Sequence, residues 1–189
     1  MRTKALRLFV ALLAATIFSV SALAQGEAKK PEDKRHPIVR ETEFSWKRAK
    51  KWTLDYIDAM PETALGFKPT PEVRSFAEQM LHLAFWNFGL IESMSGKANP
   101  YGKKQETLEK GDAGKTKAAL RKVVEESYDA VLAAMNGLDE VKLLEQAQFF
   151  NSKMTRLTIL SIALDHQTHH RGQTTAYLRL KGITPPPEP

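Results

Sequence analysis

The feature that most constrains this chain is helical periodicity sustained from Glu43 to Lys181, with no segment of convincing strand alternation. Trp46, Ala49, Thr53, Ile57 and Met60 recur at three- and four-residue steps, the rhythm of an amphipathic helix, and Pro61 ends it. Residues 62–70 read as a connector. A second helix is expected from about Pro71, with Ser75 and Glu78 in capping-box spacing, running through Met94 to a stop at Gly96. Residues 99–117 are polar, with Gly102, Gly111 and Gly114, and read as a loop. A third helix is expected from about Thr116 to Asn136, closed by Gly137. Residues 138–151 start helical and turn irregular around 146–150. The last helix is expected from about Lys153 to Lys181, with Gly182 past its end and prolines beyond. Four long helices and no sheet make an all-α chain, a four-helix bundle. The long connection between the second and third helices is long enough to let those two run parallel.

The first 24 residues stand apart from this pattern. Arg2, Lys4 and Arg7 precede an uncharged, largely apolar run over residues 8–20, and Ala22-Leu23-Ala24 follows as a cleavage site. This is the plan of a secretory signal peptide, too short to span a membrane. The expected organisation is a signal peptide over residues 1–24, a charged flexible leader over 25–41, and one helical domain over 42–189. His36, beside Pro37 in the leader, is expected to be solvated and without a role. The expected location is periplasmic or secreted, with no membrane association after cleavage.

Charge and cysteine content exclude several classes. The formal charge of +6 falls by three once the three cations of the expected signal peptide are removed, and the remainder is spread along the chain. Nucleic acid is therefore not an expected partner. With no cysteine, disulfides, thiolate zinc sites, iron–sulfur clusters and cysteine nucleophiles are excluded. Any metal must be held by His, Asp or Glu.

Three of the five histidines lie in Asp165-His166-Gln167-Thr168-His169-His170. On a helical projection with His166 at 0°, Ile159, Ile162, Ala163, Tyr177 and Leu180 fall within about 60° of it, and His170 falls near +40°. His169 lands near −60°, at the edge. The inward pair is His166 and His170, spaced four apart, so their imidazoles can share one ion. On the second helix, His82 lies on a polar stripe with Ser75, Glu78, Gln79, Trp86, Gly89 and Ser93, in a helix that is otherwise apolar. A buried polar stripe must meet something polar. Three neutral imidazoles around a divalent cation with one open position would satisfy it; so would a hydrogen-bonded histidine core. Imidazole ligands favour zinc or nickel ahead of iron or manganese.

Around these histidines, Glu78 is the candidate catalytic base or ligand-orienting carboxylate, beside its simpler reading as a capping-box residue. Gln173 is placed to orient a ligand histidine or a water. Trp86 and Tyr177 are candidate pocket walls. Arg171 projects away from the histidine stripe, toward a surface or interface. The Glu-x-x-His pairs of di-iron carboxylate bundles are absent.

The run His166-x-x-x-His170-Arg171-Gly172-Gln173, followed by Tyr177-Leu178-Arg179-Leu180-Lys181-Gly182 and prolines, resembles the closing helix of the DinB/YfiT-like family. Lys68-Pro69-Thr70-Pro71-Glu72-Val73-Arg74-Ser75 leading to Met80-Leu81-His82 resembles the start of that family's second helix. The resemblance implies a four-helix bundle holding a divalent metal through one histidine of the second helix and two of the last, here His82, His166 and His170. It also implies a metal-dependent enzyme, some members of the family being hydrolases and others thiol-dependent transferases or isomerases. The expectation is a hydrolase using a water in the open position on a small-molecule substrate, with a homodimer as an admissible assembly. A non-catalytic metal-binding or partner-docking bundle and a thiol-dependent S-transferase or isomerase are the alternatives. The signal peptide weighs against the last, since small thiols are mainly intracellular.

Overall fold

Pro37, which has no N–H to leave unpaired, opens helix α1 (Pro37–Ala59). The computed structural model describes residues 33–102 and 104–187; the expected signal peptide and residues 25–32 of the expected leader lie outside them, while residues 37–41 of that leader are helical rather than flexible. The helix therefore begins six residues before the periodic pattern does. His36 is its N-cap, with Nδ1 accepting from the Ile38 amide at 3.3 Å, so the histidine expected to have no role has a structural one. Trp46, Thr53, Ile57 and Met60 are all fully buried, as their spacing requires.

Helix α2 (Phe76–Ser95) starts five residues later than Pro71 because Ser75 is its N-cap. Ser75 accepts from the Glu78 amide and the Glu78 carboxylate accepts from the Ser75 amide, which completes the capping box. The preceding connector satisfies further first-turn donors, with Phe76 N bonded to Phe67 O and Ala77 N to Leu65 O. Gly96, at φ 70, ends the helix in the left-handed region.

The segment expected to be a loop carries a short helix α3 (Gln105–Glu109) and a 3₁₀ turn (Asp112–Gly114). Helix α4 (Lys117–Met135) follows, capped by Thr116. The ambiguous stretch resolves into helix α5 (Glu140–Leu144) and a two-stranded antiparallel hairpin, β1 (Gln146–Phe149) and β2 (Ser152–Thr155). This hairpin corrects the expectation that no strand forms. Its four-residue strands are too short for alternation to register. Helix α6 (Arg156–Leu180) closes the fold, capped by Thr155, with Gly182 at φ 73 beyond it.

The four long helices form a ring in which α2 and α1 each pack against both α4 and α6. Ala77 and Leu81 approach Gly114, just before α4, and Asn87 meets Ser127 within it, so α2 and α4 run parallel. Lys50 meets Asp129 and Asp58 meets Arg121, so α1 and α4 are antiparallel. A parallel neighbouring pair needs a long return, which residues 96–116 provide.

A chain of hydrogen bonds crosses the core through all four long helices. Arg171 Nη1 donates to Thr53 Oγ1, Thr53 to the Tyr128 hydroxyl, Tyr128 to Gln167 Oε1, Gln167 Nε2 to Asn87 Oδ1, Asn87 Nδ2 to Ser127 Oγ, and Ser127 to Val124 O. Every donor in it points the same way. Burial pushes the Tyr128 phenol up to about 12, which keeps its proton available. Arg171 corrects the helical projection: it is buried, and its guanidinium lies 4.1 Å from the Trp52 ring centroid on α1 rather than at the surface. Two residues projected to the apolar stripe of α6, Ile162 and Leu180, are exposed instead. Among the described residues, no helix is long and apolar enough to cross a membrane.

Candidate metal centre

The antiparallel α2–α6 pair brings His82 against His166 and His170. The three imidazoles each offer a ring nitrogen within 4.8 Å of the others. His82 and His170 are buried and His166 half-buried. Ring centroids are 4.4 Å apart for His82–His170 and for His166–His170, and 5.1 Å for His82–His166.

Partners on the far side of two rings fix which nitrogen faces the centre. His82 Nδ1 lies 2.7 Å from Glu109 Oε1. A carboxylate oxygen accepts, so the proton sits on Nδ1 and the Nε2 lone pair is left free. His170 Nδ1 lies 2.7 Å from Gln79 Oε1 and is pinned in the same way. Gln79 is itself held, donating through Nε2 to Gln173 Oε1 and to the Tyr177 hydroxyl. Tyr177 donates to Arg74 O, and Gln173 Nε2 donates to His169 Nε2.

His166 Nε2 faces His82 Nε2 at 3.2 Å, while its buried Nδ1 makes no hydrogen bond. Two imidazole nitrogens that face each other need a proton or a cation between them. A tetrahedral ion with metal–nitrogen bonds of ~2.0–2.1 Å sets donor separations of about 3.3 Å. The His82–His166 pair already has that spacing. The donor set, three nitrogens with two tautomers fixed by outer partners, fits a divalent metal of the imidazole-preferring kind.

Two of the rings are held in the neutral form. Burial, with the crowding of other basic side chains adding to it, lowers His166 to about 4 and His170 to about 3. Burial alone would raise Glu109, but hydrogen bonds from His82 and from Arg74 Nε at 3.0 Å outweigh it and hold its carboxyl below the ordinary range. Metal coordination requires neutral imidazole, and the fold supplies it at His166 and His170 well into the acid range.

The remaining expected site residues divide. Trp86 packs edge-on to His82 and His166, with centroids at 6.1 and 5.5 Å, and so stands beside the centre as expected. Gln173 lies one bond further out than expected, acting on Gln79 rather than on a ligand ring, and Tyr177, expected as a pocket wall, is buried with its hydroxyl on Gln79 and Arg74 O. Glu78 is committed elsewhere: its oxygens bond the Ser75 amide, Lys110 and Lys68. Those bonds overcome the effect of burial and lower it to about 2, which makes it a poor base at neutral pH. His169 is exposed and outside the triad, as the projection has it.

Sequence reasoning missed Glu109 and Gln79 as ligand-orienting residues. Gln79 was within reach of the method, since it lies three residues before His82 on the same polar stripe. Glu109 carried no signal, being in a polar segment without periodicity.

Relatives of this chain share its architecture. It is 28% identical over 141 residues to the uncharacterized protein YjoA of Bacillus subtilis (strain 168), covering 70% of this chain and 83% of YjoA. The crystal structure of a DinB-like protein from Bacillus cereus ATCC 10987 matches with a TM-score of 0.67 at 18% identity, covering 78% of this chain and 95% of that one. The crystal structure of YjoA itself, also described as DinB-like, matches with a TM-score of 0.59 at 18% identity over the same shares. At that identity the likeness establishes the fold alone. The family assignment rests on sequence: the DinB family model matches residues 40–188, nearly the whole helical domain, and the chain belongs to the DinB family.

Proposed function

We propose that this protein is a metal-dependent hydrolase acting outside the cytoplasm, with His82, His166 and His170 holding one zinc or nickel ion. The observation that carries the reading is the convergence of three imidazoles: Glu109 and Gln79 occupy the outward nitrogens of His82 and His170, leaving those two lone pairs aimed at the point that His166 Nε2 also faces. An ion bound there would lower the pKa of a water in its open position toward ~7 and polarise a carbonyl or phosphoryl oxygen, chemistry that requires no protein nucleophile. Glu109 holds the His82 proton on Nδ1, Gln79 does the same for His170, and Trp86 shields the rings of His82 and His166 from solvent. The extracytoplasmic location is supported by the tripartite signal-peptide pattern over residues 1–24.

The test uses protein exported and purified without a histidine tag. Its N-terminus should be Gln25, and elemental analysis should find one zinc or nickel per chain. A panel of carboxylic and phosphoric esters and amides should show turnover that a chelator abolishes and metal restores. Metal without turnover would favour the non-catalytic metal-binding alternative. Protein refolded with excess zinc or nickel that carries none, and melts alike with and without chelator, would leave a hydrogen-bonded histidine core.

A further inference from the structure

An apolar slot of about 180 Å³ opens beside His166, walled by Trp86, Leu90, Phe149, Phe150 and Ile162. Its size is suited to one small ring or branched chain, since a ~150 Å³ apolar cavity takes up benzene. Apart from His166 itself, no titratable side chain lines it. A second, polar cleft is lined by Gln79 and Glu109, the partners of His170 and His82, and by none of the three histidines. Its three cations are all engaged, Arg74 with Glu109 and Lys68 and Lys110 sharing Glu78, and Glu72 and Glu106 also line it, so the carboxylates outnumber the cations and an anionic substrate finds no excess positive charge there.

The outer wall of the slot is built at a conformational cost. Phe149 pairs with Ser152, so Phe150 and Asn151 form a two-residue turn, and Phe150 takes φ 51 at its first central position. Glycine or asparagine is the usual occupant of such positions, and bulky residues rarely enter that region. The carbonyl of Phe150 is held by Gln148 Nε2 at 2.6 Å. The residue as a whole is 65% exposed, but its ring packs inward, 5.3 Å from Trp86 and 4.6 Å from Phe149 by centroid. Ile162, on the facing helix α6, is also exposed. A turn selected only for hairpin stability has no need of phenylalanine there; a pocket wall does.

We propose that the ligand of the His82–His166–His170 centre is an amphipathic small molecule whose aromatic or branched aliphatic end occupies the slot between Trp86 and the β1–β2 hairpin while its polar head reaches the metal. This rests on the metal reading above and adds the substrate class. The slot selects by shape and apolar area, and the adjoining cleft of about 490 Å³, which shares Trp86, Phe149 and Phe150 as walls, leaves room for the rest of the molecule.

The test loads the protein with cobalt(II), whose visible band reports coordination directly, and titrates it with acetohydroxamate and benzohydroxamate. Wild type should bind the phenyl compound at least roughly tenfold more tightly than the methyl one, given what a few buried carbons contribute in an apolar pocket. Ala163→Phe, which fills the slot from α6, should bring that ratio toward one while the cobalt band persists. Phe150→Gly relieves the backbone, so its melting temperature should not fall, yet the ratio should drop. A normal cobalt band with equal affinities in wild type, or a ratio unchanged in both variants, overturns this proposal alone. Absence of a cobalt band in wild type overturns the metal reading and this proposal with it.

Discussion

The one-way hydrogen-bond chain through the core makes a prediction that is independent of any metal. In Gln167→Leu, two bonds disappear: Tyr128 OH to Gln167 Oε1 at 2.9 Å and Gln167 Nε2 to Asn87 Oδ1 at 2.7 Å. Gln167, Tyr128 and Asn87 are all fully buried, so water does not replace the lost partners. Each stranded group costs about 1–3 kcal/mol. The leucine side chain returns about 1–2 kcal/mol of apolar burial. The net loss is about 2–3 kcal/mol, a large share of the ~5–15 kcal/mol that holds a domain folded. It should appear as a fall of about 5–10 °C in melting temperature. Tyr128→Phe strands Gln167 Oε1 and the Thr53 hydroxyl, with a similar cost. Because the two substitutions share one bond, the double variant should be less destabilised than the sum by about 1–2 kcal/mol. Urea unfolding of the four proteins, followed by circular dichroism, measures all of these quantities. Singles that each lose under about 0.5 kcal/mol, or a pair that adds within that margin, would show that the chain contributes no cooperative stability.

Further outcomes concern the centre. Glu109→Leu should weaken metal affinity by about 10–100-fold in competition with a chelating dye, because His82 loses the acceptor that fixes its tautomer; Glu109→Gln, which keeps an acceptor oxygen, should lose less, and wild-type affinity in the leucine variant would remove the orienting role. His169→Ala should leave metal content unchanged; loss of metal there but not in His170→Ala would put α6 in the wrong phase. In chelated protein, His166 and His170 fall to about 4 and 3 when folded, against ~6.5 unfolded. The unfolded chain therefore binds more protons below ~6.5, and the apoprotein should lose about 2 kcal/mol between pH 7 and 5, discounted for the solvent-facing side of both rings. A His166→Ala/His170→Ala double variant should show a flatter urea midpoint over that range; equal slopes would contradict the buried-neutral assignment.

The elements legible in the sequence are those whose stability is written along one helix. The α2 capping box, the Gly96, Gly137 and Gly182 stops, and the buried row Trp46–Thr53–Ile57–Met60 all follow from periodicity and cap chemistry. Projection placed His166 and His170 inward and His169 outward for the same reason. It failed at Arg171 and Leu180, where the side chain's surroundings depend on which helix lies opposite. Arg171 is polar and off the histidine stripe, but α1 covers that face and supplies Trp52 and Thr53. Leu180 projects onto the stripe but lies in the last turn, where it is 63% exposed.

Glu109 shows where a chain's own pattern stops being informative. Helix α3 has five residues, far below the ~12–15 at which an isolated helix becomes stable in water, so nothing local announces it. Tertiary contacts place it: Leu108 is buried against the core, Arg74 just before α2 pairs with Glu109 Oε2, and His82 takes Oε1. The carboxylate sits 27 residues from the histidine it orients, a separation no spacing rule encodes. Gln79 differs only in being on the same helix as His82, and its partner His170 lies 91 residues away. Both residues act on the nitrogen of an imidazole turned away from the point where the three rings converge. A histidine pattern can identify the nitrogens that converge, because convergence is a property of helix faces. It carries no information about the opposite nitrogens, whose partners are chosen by how the helices and the returning loop pack. In this protein that packing fixes two of the three tautomers and leaves the buried Nδ1 of His166 without a hydrogen-bond partner, so the geometry of the centre should be most sensitive to change at His166.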